Sequence, residues 1–159
     1  MIFLTLGSYP LPFDRIINWI DILIEESEFE EEIFAQIGYS NYIPINMKWI
    51  KMLPKDEFDV IFSQASGIIS HAGMGNINMA LKYQKPLVVV PRMVKYNEHV
   101  SDHQVATAKK FEQLNHVLAA YSIADLKDRL FQFKDFIPSK RITTPQDVSN
   151  RIKIFLNSI

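Results

Sequence analysis

Short, largely apolar runs separated by turns and amphipathic stretches recur along the chain, and they restrict the fold more than any single motif. Ile2 to Leu6 has the continuous hydrophobicity of a strand buried on both faces, Ile33 to Ile37, Gly67 to Ser70 and Val117 to Ala119 are further strand candidates, and Leu87 to Val90 is the clearest. Between them, apolar residues return at helical spacing, as at Ile16, Ile17, Ile20, Leu23 and Ile24 within a helix predicted from Pro12 to about Glu26. Further helical segments are predicted over Asn76 to Gln84, Val100 to Gln113, Ile123 to Phe131 and Val148 to Leu156. Asn46 to Leu53 and Pro54 to Ala65 read as helical or partly helical. Strands alternating with helices imply parallel pairing through right-handed crossovers. The expected fold is α/β, a Rossmann-like parallel sheet with helices on both faces. At 159 residues it forms one domain, 1–159.

Composition removes several classes of function. A formal net charge of −1 gives no basis for a polyanion-binding surface, so no nucleic-acid partner is expected. The chain has no cysteine, which excludes disulfides, thiolate metal sites and a cysteine nucleophile. The apolar opening is only a strand long, without a basic leader, and no run approaches the ~20 residues of a membrane span. The reading is a soluble cytoplasmic chain. The acidic run Glu25 to Glu32 reads as the solvated end of the first helix and the turn after it.

In sheets of this kind ligands bind beyond the carboxyl ends of the strands, which directs attention to the loops after Leu6, Ser70 and Val90. The segment Ile68-Ile69-Ser70-His71-Ala72-Gly73-Met74-Gly75-Asn76 carries a buried strand into a turn with two glycines, then into a helix. Glycine lets backbone approach a ligand closely, and the free N–H groups of the new helix favour an anion such as a diphosphate. The same glycines also suit a tight strand-to-helix turn with no ligand. Asn76 fits an N-cap or first-turn position and its amide reads as a donor to phosphate. His71 is open between a hydrogen-bonded structural residue and a catalyst. In Leu87-Val88-Val89-Val90-Pro91-Arg92, Pro91 ends the strand and Arg92 is expected to emerge beside it, as a phosphate partner or a surface arginine. Polar groups then crowd Tyr96 to Gln104, where Glu98, His103 and Gln104 are candidates for sugar or ribose hydroxyls. Glu98, His99, Asp102 and His103 match no familiar zinc spacing, so no metal and no cofactor are assigned.

In order, Ile69-Ser70-His71-Ala72-Gly73-Met74-Gly75, Ala80-Leu81, Lys85 to Arg92, Asn97-Glu98-His99 and His103-Gln104 resemble the C-terminal domain of glycosyltransferase family 28. Thr5-Leu6-Gly7-Ser8 and Pro12-Phe13-Asp14-Arg15 resemble the opening of its short members, the PssE-like proteins of exopolysaccharide synthesis. The resemblance implies the C-terminal half of a GT-B enzyme divided between two chains. This half would hold a UDP-sugar, and a PssD-like membrane-anchored subunit would bind a lipid-diphosphate-linked saccharide acceptor. It also implies a peripheral position at the inner face of the plasma membrane, through that partner. The implied donor-binding set is Gly7, Ser8, His71, Gly73, Gly75, Asn76, Arg92, Glu98, His103 and Gln104, with the glycine turns against the diphosphate and Gln104 reaching the sugar. No catalytic base is assigned, because the acceptor half would supply it.

The sequence departs from the family pattern where a ribose-binding glutamate is replaced by Met79, and Asn78 or Glu98 would then have to take over. Two alternatives stay open: a non-catalytic accessory subunit, and a stand-alone enzyme acting on another nucleotide-sugar. Tyr39 to Trp49 and the C-terminal stretch with Ile152, Ile154 and Phe155 read as core or as partner-facing surface.

Overall fold

A computed structural model describes residues 1–26, 31–140 and 154. Among these, six strands form one parallel sheet in the order β3-β2-β1-β4-β5-β6: β1 (Ile2–Thr5), β2 (Ile33–Gln36), β3 (Lys48–Ile50), β4 (Gly67–His71), β5 (Leu87–Val90) and β6 (Leu118–Ala119). The helices between them are α1 (Asp14–Glu25), α2 (Lys55–Gln64), α3 (Met74–Tyr83), α4 (His103–Gln113) and α5 (Ile123–Gln132), with a 3₁₀ turn at Val94–Tyr96. No helix among the described residues is long and apolar enough to cross a membrane.

The strands are apolar on both faces because each face has its own core. Ile2, Leu4, Ile69, Val88 and Val90 point toward α1 and α5, where they meet Ile16, Ile17, Ile20, Leu126 and Leu130. Phe3, Ile68, Leu87 and Val89 point the other way, toward Phe62 of α2, Ile77, Ala80 and Leu81 of α3, and Ala108 of α4. Alternation at period two therefore splits one apolar run between two cores. A fully buried side chain of this size contributes about 1.5–3 kcal/mol. The fold class expected from the sequence is the one observed.

Chain order reverses direction at the centre of the sheet. From β1 the chain moves outward to β2 and β3, then returns to place β4 on the other side of β1, in register Thr5↔Ser70. The crevice beyond the ends of β1 and β4 is the topological switch point.

Several predicted boundaries move. The segment 46–53 reads as helical in the sequence; instead Lys48–Ile50 is an edge strand beside β2, with Phe34 opposite Lys48 and Gln36 opposite Ile50. The preceding loop is fastened to α1: the Asp21 carboxylate accepts N–H bonds from Ile45 (2.8 Å) and Asn46 (3.1 Å). The Gln36 side chain takes the N–H of Leu53 (3.0 Å), and so holds the segment extended. Helix α3 starts two residues earlier than predicted, so Gly75 lies inside its first turn. Helix α4 starts at His103, because Asn97 turns the chain through a left-handed conformation (φ 57°) before it. The closing helix predicted at 148–156 lies outside the described residues except for Ile154.

Candidate functional site

The loops after β1, β4 and β5 converge on the switch point, and His71 is the piece around which they fit. Gly7 adopts φ +70°, and a Cβ there would stand 2.7 Å from His71 Cε1. A Cβ on Gly73 would stand 2.2 Å from His71 Nε2. Both glycines therefore make room for the imidazole, and their role is steric at Gly73 and both steric and conformational at Gly7. Burial and the nearby Arg92 charge push His71 down to about 4, against the effect of a hydrogen bond to the Thr5 backbone. The ring is neutral at physiological pH, and its Nδ1 lies 3.2 Å from Ser70 Oγ.

Ser70 binds the two central strands together: its hydroxyl donates to the Thr5 carbonyl (2.8 Å) and accepts from the Asn76 side-chain amide (2.6 Å). The sequence reading gives that amide to a phosphate; in the structure it is committed to Ser70 instead. What the first turn of α3 does offer is backbone. Its ladder begins with Ile77 N–H to the Gly73 carbonyl (3.1 Å), so the N–H groups of Met74, Gly75 and Asn76 precede it. Gly73, the N-cap, makes no side-chain cap. Gly75 is exposed, and a Cβ built on it meets nothing within 4 Å. The result is an open helix N-terminus, polarised for an anion.

Arg92 does not emerge at the surface as the sequence suggests. It is 2% exposed and turned inward, donating to the carbonyls of Leu6 (3.2 Å), Leu11 (2.8 Å), Pro12 (3.3 Å) and Glu98 (3.1 Å). Its guanidinium lies 4.7 Å from the Phe13 ring centroid. Burial lowers it to about 10, with Glu98 opposing the shift, so it stays charged. The carbonyls left unpaired beyond the end of β1 account for the inward turn, since buried C=O groups require partners.

Glu98 is also unavailable to ligand hydroxyls. Its two oxygens take Arg15 Nε (2.8 Å) and Nη2 (2.7 Å), and Oε2 also accepts the Met93 N–H (3.0 Å). Gln104 is 4% exposed, and its side-chain carbonyl oxygen accepts the Arg92 N–H (3.1 Å). His103 does reach the surface, as the first residue of α4, with Nδ1 2.8 Å from Ser101 Oγ. Ser8 is exposed in the β1 loop. The Gly7–Ser8 loop, the α3 N-terminus and His103 thus border the crevice. Arg92, Glu98, Gln104 and the Asn76 side chain support it from beneath.

Three residues of the site, Tyr9, Arg15 and His99, are absent from the donor-binding set expected from the sequence. Tyr9 stacks on His99 (ring centroids 4.5 Å apart, 12° between planes), and His99 meets His103 edge-on at 4.6 Å. Arg15 packs its guanidinium against Trp19 and Tyr96, each centroid 4.6 Å away. Arg15, Arg92 and Glu98 together place two positive charges against one negative beneath the loops. The available signal is the run Phe13-Asp14-Arg15, a charged residue beside aromatics at the start of an apolar helix. Among the described residues no group of three or more metal-ligating side chains converges. Met79, where the sequence resemblance expects a ribose-binding glutamate, packs partly buried against the core on the α3 side.

Residues 1–146 match the model of the glycosyltransferase family 28 C-terminal domain. The UDP-N-acetylglucosamine transferase subunit ALG13 of Eremothecium gossypii is 40% identical over 67 residues, 42% of this chain and 30% of that protein. The chain therefore spans under a third of that relative's length. An ALG13 solution structure superposes with a TM-score of 0.58 at 20% identity, over 93% of this chain and 92% of that one. A crystal structure of the kitacinnamycin glycotransferase gives 0.59 at 21% identity, over 87% of this chain but only 35% of that one.

Proposed function

Because the chain belongs to the glycosyltransferase family 28 C-terminal domains, we propose that it is the donor-binding subunit of a two-component glycosyltransferase. In this reading residues 1–159 are one UDP-sugar-binding domain. It works with a PssD-like membrane-anchored subunit that holds a lipid-diphosphate-linked saccharide, in exopolysaccharide or capsule synthesis, at the cytoplasmic face of the membrane. The observation that carries it is the bare helix N-terminus of α3 at the switch point, with Gly75 open beside it and the Gly7–Ser8 loop opposite.

In the reaction, the acceptor hydroxyl oxygen bonds to the anomeric carbon as the bond from that carbon to the diphosphate oxygen breaks. UDP departs with the electron pair, and the hydroxyl proton passes to a base of the partner subunit. The N–H groups of Met74, Gly75 and Asn76, backed by the net positive knot of Arg15, Arg92 and Glu98, stabilise the charge that grows on the leaving diphosphate. His71, held neutral, keeps the two glycine turns apart.

A second reading, a non-catalytic accessory subunit, is favoured by one observation. Met79 is a thioether packed against the core and Glu98 is consumed by Arg15, so neither accepts a ribose hydroxyl.

Calorimetric titration of UDP separates the two. Wild type is expected to bind saturably. Gly75→Ala is expected to weaken binding at least about tenfold, since a methyl would stand where the diphosphate approaches the backbone. It should leave the fold intact or more stable by about 0.5–1 kcal/mol, because Ala replaces Gly in a helix with no internal clash. Absence of UDP binding, both alone and with the co-purified partner, would overturn donor binding in favour of the accessory role.

A further inference from the structure

We propose that Arg15 is a positioning residue of the donor site, acting through Glu98 to hold the loop after β1 and the loop after β5 in one arrangement. This rests on the donor-binding reading and goes beyond it, since Arg15 stands outside the donor-binding set and its Nε and Nη2 are spent on Glu98 and the Pro91 carbonyl.

The two residues are 83 positions apart in sequence, and their side chains are only 11% and 4% exposed. The contact is bidentate, and Arg15 Nη2 donates in addition to the Pro91 carbonyl (2.9 Å), at the end of β5. Glu98 passes the constraint on in two directions. Its carboxylate fixes the Met93 N–H, and its carbonyl accepts from Arg92, which grips Leu6, Leu11 and Pro12. Phe13 lies against both guanidiniums, 5.3 Å from Arg15 and 4.7 Å from Arg92. The position of Gly7 and Ser8 is thereby tied to the position of His99 and His103. A planar fork is needed for this: one group must span two carboxylate oxygens and a carbonyl at once, which an ammonium does not do.

The test compares three variants of the chain. Arg15→Lys keeps the charge and shortens the reach, while Glu98→Gln keeps the shape and removes the charge. Glu112→Ala breaks a different ion pair, that with Arg129 (2.9 Å), between α4 and α5. Amide hydrogen exchange is read in the free protein over residues 7–11 and 93–102, alongside melting temperature and UDP affinity. Arg15→Lys and Glu98→Gln are expected to speed exchange in both loops and to weaken UDP about tenfold, because a displaced loop loses the geometry on which binding depends. Glu112→Ala should lower the melting temperature and leave UDP affinity at the wild-type value.

Unchanged exchange and affinity in Arg15→Lys would overturn the proposal. So would a loss of affinity that tracks melting temperature equally in all three variants, since the pair would then serve stability alone. Wild type failing to bind UDP would instead overturn the donor-binding reading, and the exchange data would still decide whether the pair couples the two loops.

Discussion

His71 is the residue on which chemistry and packing meet. A buried imidazole wedged between Gly7 and Gly73 is held down to about 4, against 6.5 for a free one, chiefly by desolvation. Above pH 6.5 both the folded and unfolded states carry it neutral, and its contribution to stability is fully present. As pH falls from 6.5 toward 4 the unfolded chain binds a proton that the folded one refuses, so stability is lost across that window. Two units below 6.5 the loss is on the order of 2–3 kcal/mol. Urea unfolding of wild type and His71→Gln at about pH 7 and about pH 4.5 should therefore show a steeper acid loss in wild type; parallel losses would refute the assignment. His71 and Gly73 are visible in the sequence as parts of one turn and Gly7 as part of another, but the closing of both glycines on one imidazole is not. Nor is the direction of Arg92 and Glu98. A charged residue after a strand is compatible with pointing out to phosphate or inward to orphaned carbonyls. Only the presence of Leu6, Leu11 and Pro12 carbonyls across the gap decides between them.

At the scale of elements, the interior of a strand or helix is easier to read than its ends. Leu87 to Val90 is buried on both sides, and the sequence shows this as an uninterrupted apolar run. Lys48–Ile50 escapes because three residues carry no period, and its strand state depends on Gln36 and Asp21 elsewhere in the chain. The end of α3 is a case where local chemistry is suboptimal. Gln84 caps the helix in the left-handed region, φ 53°, a conformation that costs a side-chain-bearing residue about 1–2 kcal/mol. Its amide recovers part of that by donating to the Leu81 carbonyl (2.8 Å). Gln84→Gly is expected to raise stability by about 0.5–1 kcal/mol in chemical denaturation, with UDP affinity unchanged. A fall in stability would mean that the side-chain bond outweighs the backbone strain.

For the whole molecule, the loops after β1, β4 and β5 meet at the carboxyl end of one sheet, and in the proposed arrangement an acceptor half closes over them. Purified chain with a UDP-sugar and a lipid-linked acceptor is expected to give no product until the membrane-anchored subunit is added. Turnover by the chain alone would refute the two-component arrangement. The segment 39–49, which the sequence leaves open between core and surface, divides between the two. Met47 is buried and Tyr42 packs on the core, while Tyr39, Ile43, Ile45 and Trp49 are 51%, 52%, 80% and 41% exposed. Apolar content alone does not separate the two sets. The central place of β1 has a consequence for biosynthesis. Its neighbour β4 begins 65 residues later in register, Ile2 opposite Gly67. During translation the middle strand of the sheet therefore waits, one edge unsatisfied, until well over a third of the chain has followed it from the ribosome. Delayed folding of this kind exposes an apolar strand to chaperones and to neighbouring nascent chains.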